Sequence, residues 1–275
     1  MTDTTDRCQV FRQLHQSGCF VLPNPWDLGS AQLLVQLGFS ALATTSAGFA
    51  WSIGRPDNGV SLDESLSHLR AMAHGIAVPL NADFEKGFAV DPEGVGANVA
   101  AAVRTGVAGL SIEDSSGNRS DPLFDRVLAV ERIQAARAAI DRSGTGVLLT
   151  GRSEGFIAGR PDLGETISRL VAYAEAGADC LFAPGLRSLS DISEVVRAVA
   201  PKPVNVVAGS DFATVAQLAE AGVRRISVGG GLARAAWTGF FEAAREIARD
   251  GTFTSLGRAV PGTEINAAFS TPAAQ

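Results

Sequence analysis

Ala100-Ala-Ala-Val-Arg-Thr-Gly106-Val-Ala-Gly-Leu-Ser-Ile-Glu-Asp114 carries the pattern that decides the fold. An Ala-rich helical segment runs into a glycine, and the short apolar run that follows ends in polar residues. Glycine stops a helix at low cost because, without a Cβ, it enters the left-handed C-cap conformation freely. The phrase recurs around Gly38, Gly177 and Gly222, as in Val171-Ala-Tyr-Ala-Glu-Ala-Gly177-Ala-Asp-Cys-Leu-Phe-Ala-Pro184 and Gln217-Leu-Ala-Glu-Ala-Gly222-Val-Arg-Arg-Ile-Ser-Val228. Working outward, eight β-like runs emerge: Phe20 to Asn24, Ala41 to Ser46, Val78 to Asp83, Leu110 to Asp114, Val147 to Arg152, Leu181 to Pro184, Val204 to Val207 and Arg225 to Val228. Helical spacing fills Leu62 to His74, Val95 to Arg104, Val127 to Asp141 and Val215 to Ala221. Eight short apolar runs alternating with helices predict an α/β fold, a single (β/α)8 TIM-type barrel. A doubly wound open sheet is the structural alternative.

The 275 residues are 46% hydrophobic and 19% charged with a net charge of -6, an ordinary globular composition that a single large barrel can absorb. We expect the barrel over residues 1–250. A C-terminal extension over 251–275 carries a short helical stretch at Glu264 to Phe269. The acidic balance and scattered arginines argue against a nucleic-acid or anionic-membrane surface, so the expected partner is small. No apolar run approaches the ~18 residues of a membrane span. Cys8, Cys19 and Cys180 are odd in number and lack C-x-x-C spacing, so neither a disulfide framework nor a zinc knuckle is indicated, which fits the reducing cytoplasm.

Sites in such barrels gather at the carboxyl ends of the strands. Those ends are polar here: Thr44-Thr-Ser-Ala-Gly48, Asn81-Ala-Asp-Phe-Glu-Lys-Gly87, Glu113-Asp114, Thr150-Gly-Arg-Ser-Glu154 and Asn205, with Gly54-Arg-Pro-Asp57 in the loop after strand 2. Four carboxylates, Asp57, Asp83, Glu85 and Glu113, would then converge on one mouth. Like charges in a partly dry site need compensation, and an all-oxygen donor set without His or Cys selects a hard cation such as Mg2+, or Mn2+ in its place. For any one carboxylate, capping a helix or bracing a loop is an equal reading; for four at successive strand ends it is the weaker one.

Other chemistries lack equipment. Only Lys86 and Lys202 are available for a Schiff base, and Lys202 lies at the wrong end of strand 7. His15 precedes strand 1, His68 and His74 fall on the helix after strand 2, and Cys19 and Cys180 begin strands. Gly94-Val-Gly96 lacks the third glycine of a dinucleotide fingerprint. Gly229-Gly-Gly231 after strand 8 could bind phosphate through backbone amides or simply let the last helix pack.

With these residues in view, the chain resembles the isocitrate lyase and phosphoenolpyruvate mutase superfamily over about residues 10–250. The resemblance rests on Asn24-Pro-Trp-Asp27, Gly54-Arg-Pro-Asp57, Ala82-Asp-Phe-Glu-Lys-Gly-Phe88, Gly109-Leu-Ser-Ile-Glu-Asp114, Arg152 in Gly-Arg-Ser-Glu, and Asn205. It implies Asp83 as the direct Mg2+ ligand, with Asp57, Glu85 and Glu113 holding metal waters. Arg152 would grip the carboxylate of a 2-oxo acid or its enolate, with Asp57 and Glu113 beside it in the reaction. Thr45, Ser46, Ala47, Gly48 and Asn205 would bind the same ligand. It also implies a homo-oligomer, a dimer or tetramer, in which the C-terminal helix packs on a neighbouring subunit.

Departures narrow the chemistry. The family's lyases carry a Lys-Lys/Arg-Cys-Gly-His loop after strand 4, with the Cys delivering a proton; here it reads Ser115-Ser-Gly-Asn-Arg-Ser-Asp-Pro122. Cleavage of isocitrate by the usual route is therefore not expected, although the loop could still close over the ligand through Asn118 and Arg119. Strand 6 offers Ala183-Pro-Gly185 where a Glu is common, and strand 4 has Ser111 where His is common. The expected function is a Mg2+-dependent lyase or decarboxylase of a small 2-oxo dicarboxylic acid. Carbon-phosphorus chemistry of the mutase or phosphonopyruvate hydrolase type, a non-catalytic 2-oxo acid binder, and an unrelated phosphosugar barrel stay open.

Overall fold

A computed structural model describes residues 4–209 and 211–270. Eight parallel strands form one sheet: β1 (Phe20–Leu22), β2 (Leu42–Ala43), β3 (Leu80–Asp83), β4 (Gly109–Glu113), β5 (Leu148–Arg152), β6 (Cys180–Phe182), β7 (Val204–Val207) and β8 (Arg225–Ser227). Their order is β1-β8-β7-β6-β5-β4-β3-β2. The remaining seam is bridged by the Ala43 amide donating to the Pro23 carbonyl at 3.1 Å and by Asn24 Nδ2 donating to the Thr44 carbonyl at 2.8 Å. The sheet is thus a nearly closed barrel, and the open-sheet alternative is excluded. Each strand overlaps a run expected from sequence: β4 and β6 begin one residue earlier than expected, β7 matches its run, and β1, β2, β4, β6 and β8 end short of theirs as the polar carboxyl ends leave the ladder to line the mouth.

The helices follow the same logic. The main covering ones are α1 (Thr4–Leu14), α2 (Leu28–Gln36), α3 (Ser46–Ser52), α4 (Leu62–Gly75), α5 (Pro92–Val103), α6 (Arg126–Ser143), α7 (Leu163–Glu175), α8 (Leu189–Val199), α9 (Val215–Glu220) and α10 (Gly231–Asp250). Gly177, at φ 104°, takes the left-handed conformation that ends the turn after α7. Starts are capped by side chains: Ser61 and Glu64 form a reciprocal capping box on α4, and Asp91 accepts from the Gly94 amide on α5. The glycine at 94 therefore serves a cap, in keeping with its poor match to a dinucleotide fingerprint.

Three segments differ from the sequence reading. The polar leader is helix α1, which buries Arg7, Cys8 and Phe11; its apolar residues Cys8, Val10, Phe11 and Leu14 sit within polar text, which hid this. After β2, Ser46 enters helix α3 at once, because Thr45 caps it by accepting from the Gly48 amide. Beyond α10 come a 3-10 turn (Thr254–Arg258) and α11 (Gly262–Ser270), longer than the expected helical stretch. Within this chain α11 lies on α2, where Gln36 donates to the Ala268 carbonyl and Phe269 approaches Gly29. No helix of the described residues is long and apolar enough to cross a membrane.

Candidate active site

The carboxyl ends of β2 to β5 bring the chemistry together. Asp83 closes β3, and its backbone amide donates to Thr44 Oγ1 at 2.9 Å. Its Oδ2 accepts from the Ser46 amide at 3.0 Å and from Ser46 Oγ at 2.8 Å. Its Oδ1 lies 3.3 Å from Arg152 Nη1 at the end of β5. The same nitrogen lies 3.3 Å from Glu113 Oε2 at the end of β4, and Arg152 Nε donates to Glu154. A single guanidinium therefore joins three carboxylates, and the Phe182 ring, 5.3 Å from its central carbon, backs it. Burial opposes its charge, but Glu154, Glu113 and Asp83 outweigh that and hold Arg152 more firmly protonated than usual.

Glu154 is the member that sequence reasoning quoted but did not single out. Its place two residues after Arg152 on the strand end was the available signal. Its amide donates to Asp114 Oδ1 at 2.7 Å, and Asp114 also accepts from Tyr173 and pairs with Arg169. Asp114 thus belongs to the supporting structure beneath.

The four expected carboxylates do feel one another. Burial, then Asp83 and Asp57, push the Glu85 carboxyl up to about 7. Burial, with Glu154, Asp83 and Glu85 adding repulsion against the pull of Arg152, raises Glu113 well above the usual range. Asp57, in the loop between α3 and α4, is raised by enclosure of its carboxyl and by Asp83. Among the described residues, however, no three Asp, Glu, His or Cys side chains form a ready-made direct coordination shell. Arg152 stands between Asp83 and Glu113. The donor set fits a hard divalent ion that touches few protein oxygens and keeps most of its waters, as Mg2+ does.

Backbone strain is concentrated beside these groups. Glu85 and Phe88 adopt φ of 47° and 56°, a left-handed region that costs a non-glycine residue roughly 1–3 kcal/mol. Arg132 of α6 holds that turn: Nη1 donates to the carbonyls of Ala89 and Val90 at 2.6 Å each, and Nη2 to that of Lys86. A positively charged side chain from the helix layer thereby fixes where Glu85 points.

A cavity of about 550 Å3 opens over Asp83 and Arg152. Thr45, Ser46, Ala47, Asp57 and Asn205 line it. Gly48 does not; its amide is committed to Thr45, and a Cβ there would come within 2.9 Å of Trp26 and 3.2 Å of Ala233, so packing demands the glycine. Asn205 is spent on its neighbours, donating to Ser227 Oγ at 3.0 Å and accepting from Arg225 Nε at 2.9 Å. An adjoining space of about 390 Å3 is lined by Asp57, Glu85, Glu113 and Glu154 and roofed by Asn118 and Arg119. The loop that carries them braces itself: Ser116 Oγ accepts from the Asn118 amide at 2.9 Å, and Asn118 Oδ1 accepts from Ser120 Oγ at 2.8 Å. The absent strand 6 carboxylate is replaced by Pro184 and Gly185, both facing the cavity. Gly231 begins α10 without a side-chain cap, and Gly229 to Gly231 line the same cavity.

Comparison with known proteins places this architecture. Residues 11–248 match the phosphoenolpyruvate phosphomutase family. An uncharacterised protein of Mycobacterium tuberculosis H37Rv is 33% identical over 94% of this chain and 95% of its own length. An oxaloacetate decarboxylase of Paraburkholderia xenovorans is 30% identical over 71% of this chain and 67% of its own. Among solved structures, a provisionally named lyase/mutase from Burkholderia cenocepacia J2315 superposes with a TM-score of 0.95 at 46% identity, covering 98% of both chains. A phosphonopyruvate hydrolase in complex with oxalate and Mg2+ superposes with a TM-score of 0.84 at 26% identity, covering 98% of this chain and 95% of that one.

Proposed function

The chain belongs to the isocitrate lyase and phosphoenolpyruvate mutase superfamily, and from that premise we propose that it is a Mg2+-dependent carbon-carbon lyase or decarboxylase acting on a small 2-oxo dicarboxylic acid through an enolate. The observation that carries the reading is the junction of Asp83, Glu113 and Arg152, of which Asp83 and Arg152 line the 550 Å3 cavity and Glu113 the space adjoining it. Asp83 would hold Mg2+ directly, with Asp57, Glu85 and Glu113 accepting hydrogen bonds from its waters. Bound there, the ion supplies Lewis acidity that polarises a 2-oxo group and favours the enolate form of the product.

The chain's own residues account for the rest. Arg152 orients the substrate carboxylate, since a planar guanidinium meets a carboxylate as a two-pronged fork and fixes its angle. To do so it must exchange some contact with Asp83 and Glu113 for contact with the ligand. Ser46 fixes the Asp83 rotamer by two hydrogen bonds to one oxygen. Glu85 and Glu113, whose buried carboxyls hold protons unusually well, are placed to hold or return the proton that the missing thiol of the loop cannot supply. Asn118 and Arg119 roof the site and exclude water when substrate fills it.

The relatives named as oxaloacetate decarboxylase, and the neighbour holding oxalate and Mg2+, support the oxo-acid and metal parts of this reading. The likeness to phosphonopyruvate hydrolase supports a second reading, carbon-phosphorus cleavage. One assay separates them: with Mg2+ and a panel of 2-oxo diacids and phosphonopyruvate, pyruvate release coupled to lactate dehydrogenase should occur without phosphate release. Phosphate release together with pyruvate from phosphonopyruvate favours the second reading, and tight Mg2+-dependent binding with no turnover favours a binder.

We place the enzyme in the cytoplasm, in keeping with three cysteines that are odd in number and lack C-x-x-C spacing. Its partner is the small ligand, with no nucleic acid or membrane. A homo-oligomer, dimer or tetramer, is supported by α10, which buries only Ala233 while exposing Phe240, Phe241 and Ile247.

A further inference from the structure

His68 of α4 takes no part in the chemistry above, yet it borders the acidic rim. Its imidazole stacks on Phe49 of α3, with ring centroids 3.8 Å apart and planes 11° from parallel, which fixes the ring. Its Nε2 is buried and, among the described residues, has no hydrogen-bond partner. A buried nitrogen left unpaired costs more than an ordinary hydrogen bond returns, so the group calls for a partner.

Glu85 shares the defect. It is 7% exposed, and its carboxylate makes no hydrogen bond among the described residues. Arg132 holds the Glu85 turn through main-chain carbonyls only, so the carboxylate itself is unanchored. Both unpaired groups line one small pocket of about 10 Å3, room for a single water. Thr44, Ser46, Ser65 and Asp83 are its other polar walls, and a polar lining is the second condition for a structural water. Asp83 is already engaged with Ser46 and Arg152, which leaves Glu85 as the carboxylate at that pocket without a partner. Water both donates and accepts, so it serves either tautomer of the imidazole. Burial, against a smaller opposing pull from Asp27, lowers the His68 pKa to about 4. The ring is therefore neutral, adds no charge to the rim and acts by direction alone.

We infer that one water bridges His68 Nε2 and the Glu85 carboxylate, and that His68 is thereby a positioning residue that sets the rotamer in which Glu85 faces the Mg2+ waters. The inference rests on the reading of Glu85 as a member of the metal-holding rim. Arg132 then fixes the main chain of that turn and His68 the carboxylate it carries. A histidine kept only for its stack on Phe49 could be replaced by another flat ring; one that holds a water needs a polar atom at the same place.

Two measurements on the intact protein test this. Crystals of the unmodified protein grown with Mg2+ should show a water within about 3.2 Å of both His68 Nε2 and a Glu85 carboxylate oxygen. Calorimetric titration with Mg2+ alone supplies the second readout. His68→Phe keeps a ring against Phe49 but removes the nitrogen, and should weaken Mg2+ binding by about tenfold, the usual consequence of losing an outer partner of a metal site. His68→Gln, which can still hold the water, should stay within about threefold of the unmodified protein. In a Glu85→Ala background the loss from His68→Phe should shrink below about twofold, because residues that act through one another are not additive. Density with no water between the two groups, or with Nε2 bonded to a protein atom, overturns the inference, and it decides the bridge even if the Phe variant fails to fold. A His68→Phe loss of equal size in both backgrounds, or no loss, overturns it too and reduces His68 to packing against Phe49. Failure of Mg2+ to bind the unmodified protein removes the metal reading of the rim, and the positioning role with it.

Discussion

Arg152 Nη1 lies 3.3 Å from Asp83 Oδ1, although 69 residues separate the two in sequence. Parallel strands β3 and β5, with β4 between them, make the meeting unavoidable once the barrel forms. The pair is more than a salt bridge, because Glu113 shares the same nitrogen. Ground-state order of this kind sets the guanidinium in place before substrate arrives, and preorganised charge is the largest usual contribution to catalysis.

Replacing Arg152 by Lys tests that geometry rather than the charge. The ammonium keeps the positive charge among Asp83, Glu113 and Glu154 but loses the fork. Turnover should fall by about 10²–10³-fold, the usual effect of removing one preorganised donor. Circular dichroism should show an intact fold; a turnover within a few-fold of the unmodified protein would refute the role.

Removal of the divalent ion gives a second prediction. EDTA should abolish turnover, and added Mg2+ should restore it. Asp83→Asn keeps the shape and the Ser46 contacts but drops the charge, so Mg2+ affinity by calorimetry should weaken at least about tenfold, in line with loss of a direct carboxylate ligand. Activity that survives EDTA would remove the metal from the reaction.

How much of this was legible beforehand differs by layer. The glycine stops at 38, 106, 177 and 222 and the apolar runs after them expose the barrel, because both signals are local. Asp83, Glu113 and Arg152 were legible as strand ends. What stayed hidden depends on side-chain direction or on long-range pairing. Glu154 reads like loop text until Arg152 Nε is seen to bond it. Gly48 looks like a ligand cradle until the approach of Trp26 and Ala233 shows its packing role. The leader helix α1 carries too few apolar residues to announce itself.

Arg132 supplies a third prediction, because a single buried guanidinium satisfies three carbonyls of the Glu85 turn. Arg132→Met fills similar volume but leaves those carbonyls without donors, at a cost of roughly 2–4 kcal/mol. Urea unfolding should show that loss. Because Glu85 and Phe88 sit in strained conformations, turnover should also fall while Arg152-dependent oxalate binding persists. An unchanged unfolding midpoint would show that the turn holds without Arg132.

Acid sensitivity is the fourth prediction. Burial, aided by Arg225, lowers His15 to about 3, and burial lowers His68 to about 4, from an ordinary value of 6.5. Below 6.5 the unfolded chain takes up protons that the folded chain refuses, so the stability these histidines contribute is fully present above pH 6.5. It is lost as pH falls toward 4, by up to about 1.4 kcal/mol per unit for each group. Glu85 and Glu113, with raised values, act in the opposite sense: the folded protein binds their protons first, which favours folding as pH falls through the same range. The net curve therefore mixes two signs, and only a difference isolates the histidine. Gln at position 15 can still accept from Arg225 and donate to Phe11 but does not titrate. The urea midpoint of His15→Gln should consequently fall less steeply between pH 6.5 and 5 than that of the unmodified protein. Parallel curves would mean that His15 is not held neutral in the folded barrel.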